Sequence, residues 1–240
     1  MDLIKKCKYA ILCLSICVPS IAFSAVFGHY DSTNRSNFDF NSQQSLNTYI
    51  YLHPLIDAHD ARIGYFCHDG NLVPGKLING SCYIAFNGND YRHEEYNVLR
   101  NPTPSFPPSQ YKLLAIHNFL QFNQGEAKQF IKDLGVTPGG MYQGNYMYHC
   151  YVLEGHTGRS AFGHYNPDAN KCTYELHGDQ YIVPTDHTSS YMQGWEVSVL
   201  VSIPGGVPLP SGMSFGSALN NPYNPPVGGS GPGGGGGHIQ

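Results

Sequence analysis

The segments CYIAFNGNDY, from Cys82, and CTYELHGDQY, from Cys172, carry cysteine, glycine and tyrosine at the same offsets. Before them, YFC (65–67) answers YHC (148–150); after them, EYNVL (95–99) answers EVSVL (196–200). The separation grows from 83 at Cys67/Cys150 to 90 at Cys82/Cys172 and 101 at Leu99/Leu200, so the second copy carries extra residues that belong in loops. Three matched blocks in one order read as a duplication. Units this short cannot bury an apolar face alone and must share a core. Pseudo-twofold pairing of the two copies in one domain is the natural arrangement.

The local patterns say what each unit is. Asn79-Gly80 and Asn87-Gly88 flank the run Ser81 to Phe86. Asn-Gly is a strong hairpin signal, because a type I′ turn needs positive φ at both central residues. A meander of three short strands follows, with EEYNVL (94–99) as a further strand. LNTYIYLHPLI (46–56) fits an edge strand stopped by Pro54. In GWEVSVLVSI (194–203), Trp195, Val197, Val199 and Val201 alternate with Glu196, Ser198 and Ser202, the pattern of a half-buried strand. Between the copies, YKLLAIHNFLQF and GEAKQFIKDLG (125–135) space their apolar residues as helices do, and Gly135 suits a helix stop. The expected fold is all-β, β-sandwich-like, from two pseudo-twofold related repeats with a small helical insert. Its parts are an N-terminal segment 25–56, a two-repeat domain 57–203 (repeat one 57–99, insert 108–135, repeat two 141–203) and a flexible Pro/Gly-rich tail 204–240.

Residues 1–24 set the compartment. Lys5, Lys6 and Lys8 precede an apolar run, and Ala22-Phe23-Ser24 offers a cleavage site after Ser24, the pattern of a secretory signal peptide. The run is too short to span a bilayer, which takes about 20 residues. A secreted or periplasmic protein without an integral membrane segment is expected. Cleavage leaves Cys67, Cys82, Cys150 and Cys172, an even number that reads as two disulfides in an oxidising compartment. Short loop closure favours Cys67–Cys82 with Cys150–Cys172, though both cross-repeat connectivities are equally symmetric. The mature chain has 10 basic and 16 acidic residues, no footprint for nucleic acid or anionic lipid.

With the repeat and its turns in view, ARIGYFCHDGNLVPGKLINGSCYIAFNGNDYRHEEYNVL (61–99) resembles the DM-nine repeat. The resemblance rests on Gly64, His68, Gly70, Leu72, Pro74-Gly75-Lys76, Cys82-Tyr83, Gly88 and Tyr96-Asn97-Val98-Leu99. Across 141–201 it is weaker: Cys172, Gly178, the EVSVL end, and Gly163-His164 in place of Gly-Lys. Tyr65-Phe66 stands where the family has Arg-Ala, and the helical insert is atypical. The resemblance implies an all-β tandem-repeat domain binding mannose-type glycans. It implies contacts from the lysine of Pro-Gly-Lys and from an aspartate upstream of the first strand. Lys76 fills the first role; Asp57, with Asp60 as rival, fills the second; His164 holds the lysine position of repeat two. Natterin-like relatives add an aerolysin-type pore module, which needs far more chain than follows Ile203.

The chemistry agrees with that expectation. Sugars are neutral polyols held by paired donors and acceptors, often beside an aromatic face. A Lys–Asp pair gives charge-assisted bonds to vicinal hydroxyls, and this chain has 18 Tyr and 12 Phe for stacking. One such site binds at about millimolar strength, so avidity comes from several sites, through repeats or an oligomer. The histidines, His149, His156 and His164 among them, fit no helix face or zinc spacing, so no metal or other cofactor is expected. No catalytic motif such as G-x-S-x-G, H-E-x-x-H or a Walker sequence occurs. The expected function is carbohydrate binding without catalysis; the alternative is a structural or host-interaction scaffold that binds a protein.

Overall fold

The computed structural model describes residues 25–39, 42–52, 64–102, 109–116, 124–154, 160–185, 195–205, 207–209, 214–215 and 219–220. The signal-peptide region, Asp57, Asp60 and the chain from 221 onward lie outside the described residues. The elements run β1 (Val26–Phe27), β2 (Tyr30–Asn34), α1 (Gln43–Thr48), β3 (Tyr51–Leu52), β4 (Gly64–His68), β5 (Pro74–Ile78), β6 (Ser81–Phe86), β7 (Asn89–His93) and β8 (Glu95–Leu99). They continue as β9 (Ser109–Ala115), α2 (Gln124–Leu134), β10 (Val136–Thr137), β11 (Met141–Tyr142), β12 (Asn145–Tyr146) and β13 (Tyr148–Glu154). The last are β14 (Ser160–Asn166), β15 (Lys171–Leu176), β16 (Asp179–Pro184), β17 (Trp195–Pro204), β18 (Ser214–Phe215) and β19 (Leu219–Asn220).

Both copies have the same topology. In the first, β4, β5, β6 and β7 form an antiparallel meander and β8 returns to pair with β4, giving the order β8-β4-β5-β6-β7. In the second the order is β17-β13-β14-β15-β16. The register matches residue by residue: Cys67 lies opposite Gly75 and Val98, and Cys150 opposite Gly163 and Val199. Turn chemistry explains the meanders. Asn79-Gly80 and Asn87-Gly88 all have positive φ, as type I′ turns require, and His177-Gly178 takes that conformation in the second copy.

The disulfides are Cys67–Cys82 and Cys150–Cys172. Each joins the first and third strands of its meander with Cα atoms 6.2 and 6.3 Å apart. Strands two apart in a flat sheet sit about 9–10 Å apart, so these are drawn together over the middle strand. The glycine opposite the first cysteine permits this. A Cβ on Gly75 would fall 2.2 Å from the Tyr83 carbonyl oxygen, and one on Gly163 1.9 Å from that of Thr173.

One apolar cluster lies in the first copy around Tyr65, Leu77, Ile84 and Val98. A larger one joins the second copy to α2 through Ile131, Tyr165, Tyr174 and Val199. A third fills the space between them, with Phe66 and Phe162 rings 4.6 Å apart beside Tyr111, Leu113 and Tyr151.

Four local expectations change. The run YKLLAIHNFLQF is not a helix where it is described: β9 pairs with β17 and β18, and Tyr111, Leu113, Leu114, Ala115 and Ile116 are all buried. A continuous apolar run buried on both faces mimics helical spacing. β17, expected to be half-buried, is covered on both faces, its valines packing with α2 and Leu200 packing with Phe66 of the first copy, so Ser198 and Ser202 are buried as well. The stretch from 46 opens in α1, because the Ser42 hydroxyl caps it by accepting from Ser45 N–H at 3.0 Å; the strand that follows has two residues. The Pro/Gly-rich tail contributes β18 and β19 to sheet edges, since backbone pairing needs no apolar side chains.

Candidate functional site

The middle strands meet at the seam: β5 packs on β14 and β6 on β15. Lys76 lies on β5 opposite Phe66 and Tyr83, and His164 on β14 opposite His149 and Thr173. The two are therefore structural equivalents, as the Gly-Lys and Gly-His alignment requires. Their surroundings differ.

Lys76 is 4% exposed, not a donor at a solvated turn. Its ammonium donates to the Glu175 carbonyl oxygen at 2.6 Å and lies 2.8 Å from Glu175 Oε2. Glu175 Oε1 in turn accepts from Gly178 N–H at 2.6 Å, which ties the ion pair to the β15–β16 turn. An ion pair this dry holds together because the carboxylate has other donors and the ammonium other acceptors.

On the other half of the seam the charges are missing. Glu175 lies opposite Gln180, and its equivalent opposite Asp90 is Ala85. His164 is 4% exposed, and its Nδ1 has no hydrogen-bond partner among the described residues. Burial pushes its pKa down to about 4, so the ring is neutral at ordinary pH. It lines a cavity of about 450 Å³ with Phe86, Asn87, Tyr142, Gln143, Asn166, Lys171, Thr173 and Gln180. Phe86 and Tyr142 meet edge to face at 5.3 Å. Gln180 Oε1 accepts from Gly88 N–H at 2.9 Å, a bond between the two repeats at the rim. The cavity offers several amides, an ammonium, a hydroxyl and an aromatic wall, a set suited to hydroxyl groups.

A second, wider cleft of about 860 Å³ includes Ser32, Asn34, Asp69, Asn71, His93, Glu95 and Asn97. Asp69 is 2% exposed; its Oδ1 accepts from Asn71 and Val73 N–H, and Oδ2 lies 3.6 Å from His93 Nε2. This carboxylate shapes the turn that precedes β5. Elsewhere in the interior, the Tyr30 hydroxyl shares a 2.6 Å hydrogen bond with His149 Nε2, and His68 lies edge-on to Tyr30 at 4.4 Å. Burial holds His149 well below its usual pKa, and His68 adds to the effect. Among the described residues no group of three or more histidine, cysteine, aspartate or glutamate side chains is arranged to hold a metal ion.

Of the sequence candidates, the structure brings Lys76 and His164 to one seam on opposite sides, while Asp57 and Asp60 lie outside the described residues. Sequence reasoning missed Glu175 and Ala85. The signal was present in the repeat itself, where one copy has a carboxylate and the other an alanine at the same buried position.

No family model matches the chain, and no curated protein does. Among solved structures it is similar to the nematode sperm cell motility protein MFP2B, at 12% identity and a TM-score of 0.50, over 77% of this chain. The match takes in 49% of that structure, so this chain spans about half its length. The likeness is one of fold.

Proposed function

We propose that this is an exported carbohydrate-binding protein without catalysis, built of two diverged DM-nine repeats, which takes mannose-type glycans in the seam cavity beside His164. The observation that carries the reading is the lining of that cavity: neutral amides and a neutral imidazole beside Phe86 and Tyr142. Polyols are held by such mixed donors and acceptors, whereas an ionic ligand would need more fixed charge than Lys171 supplies. Asp57 and Asp60 stay part of the proposal as acceptors. Export is supported by the N-terminal signal pattern and by the two disulfides.

A specific feature favours a second reading, a scaffold that binds a protein. Phe27 and Met141 are 53% and 59% exposed, and Phe27 and Leu72 both approach Gly139. Glycan-array binding competed by free mannose supports the first reading. Capture of a protein partner with no sugar competition supports the scaffold, and time-dependent cleavage of an oligosaccharide overturns both.

A further inference from the structure

The two halves of the seam are built on the same backbone register and filled differently. Where repeat one offers lysine, repeat two answers with glutamate, and the space between them is closed by an ion pair at 2.8 Å. Where repeat two offers histidine, repeat one answers with alanine, and a cavity of about 450 Å³ lies against that histidine. His164 replaces a longer side chain and Ala85 a much longer one. Phe86, the residue after Ala85, has its ring 6.1 Å from that of His164.

We infer that the Lys76–Glu175 pair is an internal plug, occupying in one half of the seam the space that a ligand occupies in the other. The seam then has one ligand site: His164 lines it in the lysine's place, and Ala85, buried next to the lining residue Phe86, leaves no carboxylate to close it. The ligand packs against the imidazole of His164 and the ring of Phe86. This rests on the carbohydrate reading for the nature of the ligand; the plug itself rests on the two fillings of the seam. It also reverses the roles expected from the sequence. Lys76 keeps its half shut, and the histidine in the lysine's place marks the working site.

The test transplants the plug. Ala85→Glu with His164→Lys in the full mature chain places the ion pair in the open half. Two readouts are taken: titration with mannobiose by calorimetry, and the ¹⁵N resonance of the new lysine ammonium, which is protected from exchange only when the group is buried and paired. The inference expects one mannobiose per wild-type chain, affinity reduced at least tenfold in the double variant, and a protected ammonium. Binding that survives the transplant, or two sugars per wild-type chain, overturns the plug and leaves the carbohydrate reading standing. No sugar binding to the wild type, with a protected ammonium in the variant, overturns the carbohydrate reading and upholds the plug. An unprotected ammonium with no sugar binding overturns both. Should the double variant not fold, His164→Met fills the same side without burying charge. The same tenfold loss is then expected, and unchanged affinity overturns the inference.

Discussion

Replacing Lys76 by methionine keeps most of the side chain's volume and removes its charge. At 2.8 Å two unit charges attract by about 6 kcal/mol at an effective dielectric of 20. Both groups gave up hydration to reach 5% and 3% side-chain exposure, so the net worth of the pair is much smaller. The variant reports something else, namely a carboxylate left alone in the seam. Removing one member of a buried pair costs about 3–5 kcal/mol. Lys76→Met is therefore expected to lose about 3–5 kcal/mol at pH 7. Adding Glu175→Gln keeps an acceptor for Gly178 N–H and removes the stranded charge, so the double variant recovers about 2 kcal/mol. The assay is urea unfolding with disulfides intact, followed by the fluorescence of Trp195, the single tryptophan. A loss below about 0.5 kcal/mol, the size for a solvated surface residue, refutes the reasoning. So does a double variant no more stable than Lys76→Met alone.

The buried histidines give a pH dependence of known sign. His164 titrates near 4 folded and near 6.5 unfolded, so the unfolded chain binds more protons between those values and stability falls as pH drops through that window. Its share is about 3 kcal/mol; His149 adds to the trend, and His164→Phe should flatten the urea-midpoint profile between pH 6.5 and 4. Gly163→Ala drives a methyl into the Thr173 carbonyl and should cost at least about 3 kcal/mol or prevent folding. Gly70→Ala, with open space around it, should change the melting temperature little. Reducing the disulfides, whose cysteines are 15 and 22 residues apart, should cost roughly 3 kcal/mol each, read as a lower urea midpoint in reductant.

Much of the fold was legible because the sequence states it twice. Asn79-Gly80 and Asn87-Gly88 gave their hairpins directly, and the matched cysteines placed the first and third strands of both copies. The failures were of period. Tyr111 to Ile116 is apolar on both faces, and in such a run spacing no longer distinguishes strand from helix. β17 looked half-buried because serines alternate with valines, yet Ser198 and Ser202 are covered by a second layer. The site was half legible. Aligning Gly75-Lys76 with Gly163-His164 found both seam positions. That alignment gave no exposure, so Lys76 read as a donor to a ligand when its partner was Glu175, 99 residues away. Glu175 in one copy against Ala85 at the equivalent position of the other was the clue that a buried pair existed in one half only.

The most direct measurement follows the imidazole nitrogens of His164 by ¹⁵N NMR while mannobiose is added to the mature protein. A saturable shift of the His164 ring nitrogens is expected, with one sugar per chain and a dissociation constant of about 1 mM. A His164 resonance that stays still while sugar binds elsewhere, or the absence of any saturable shift, contradicts it.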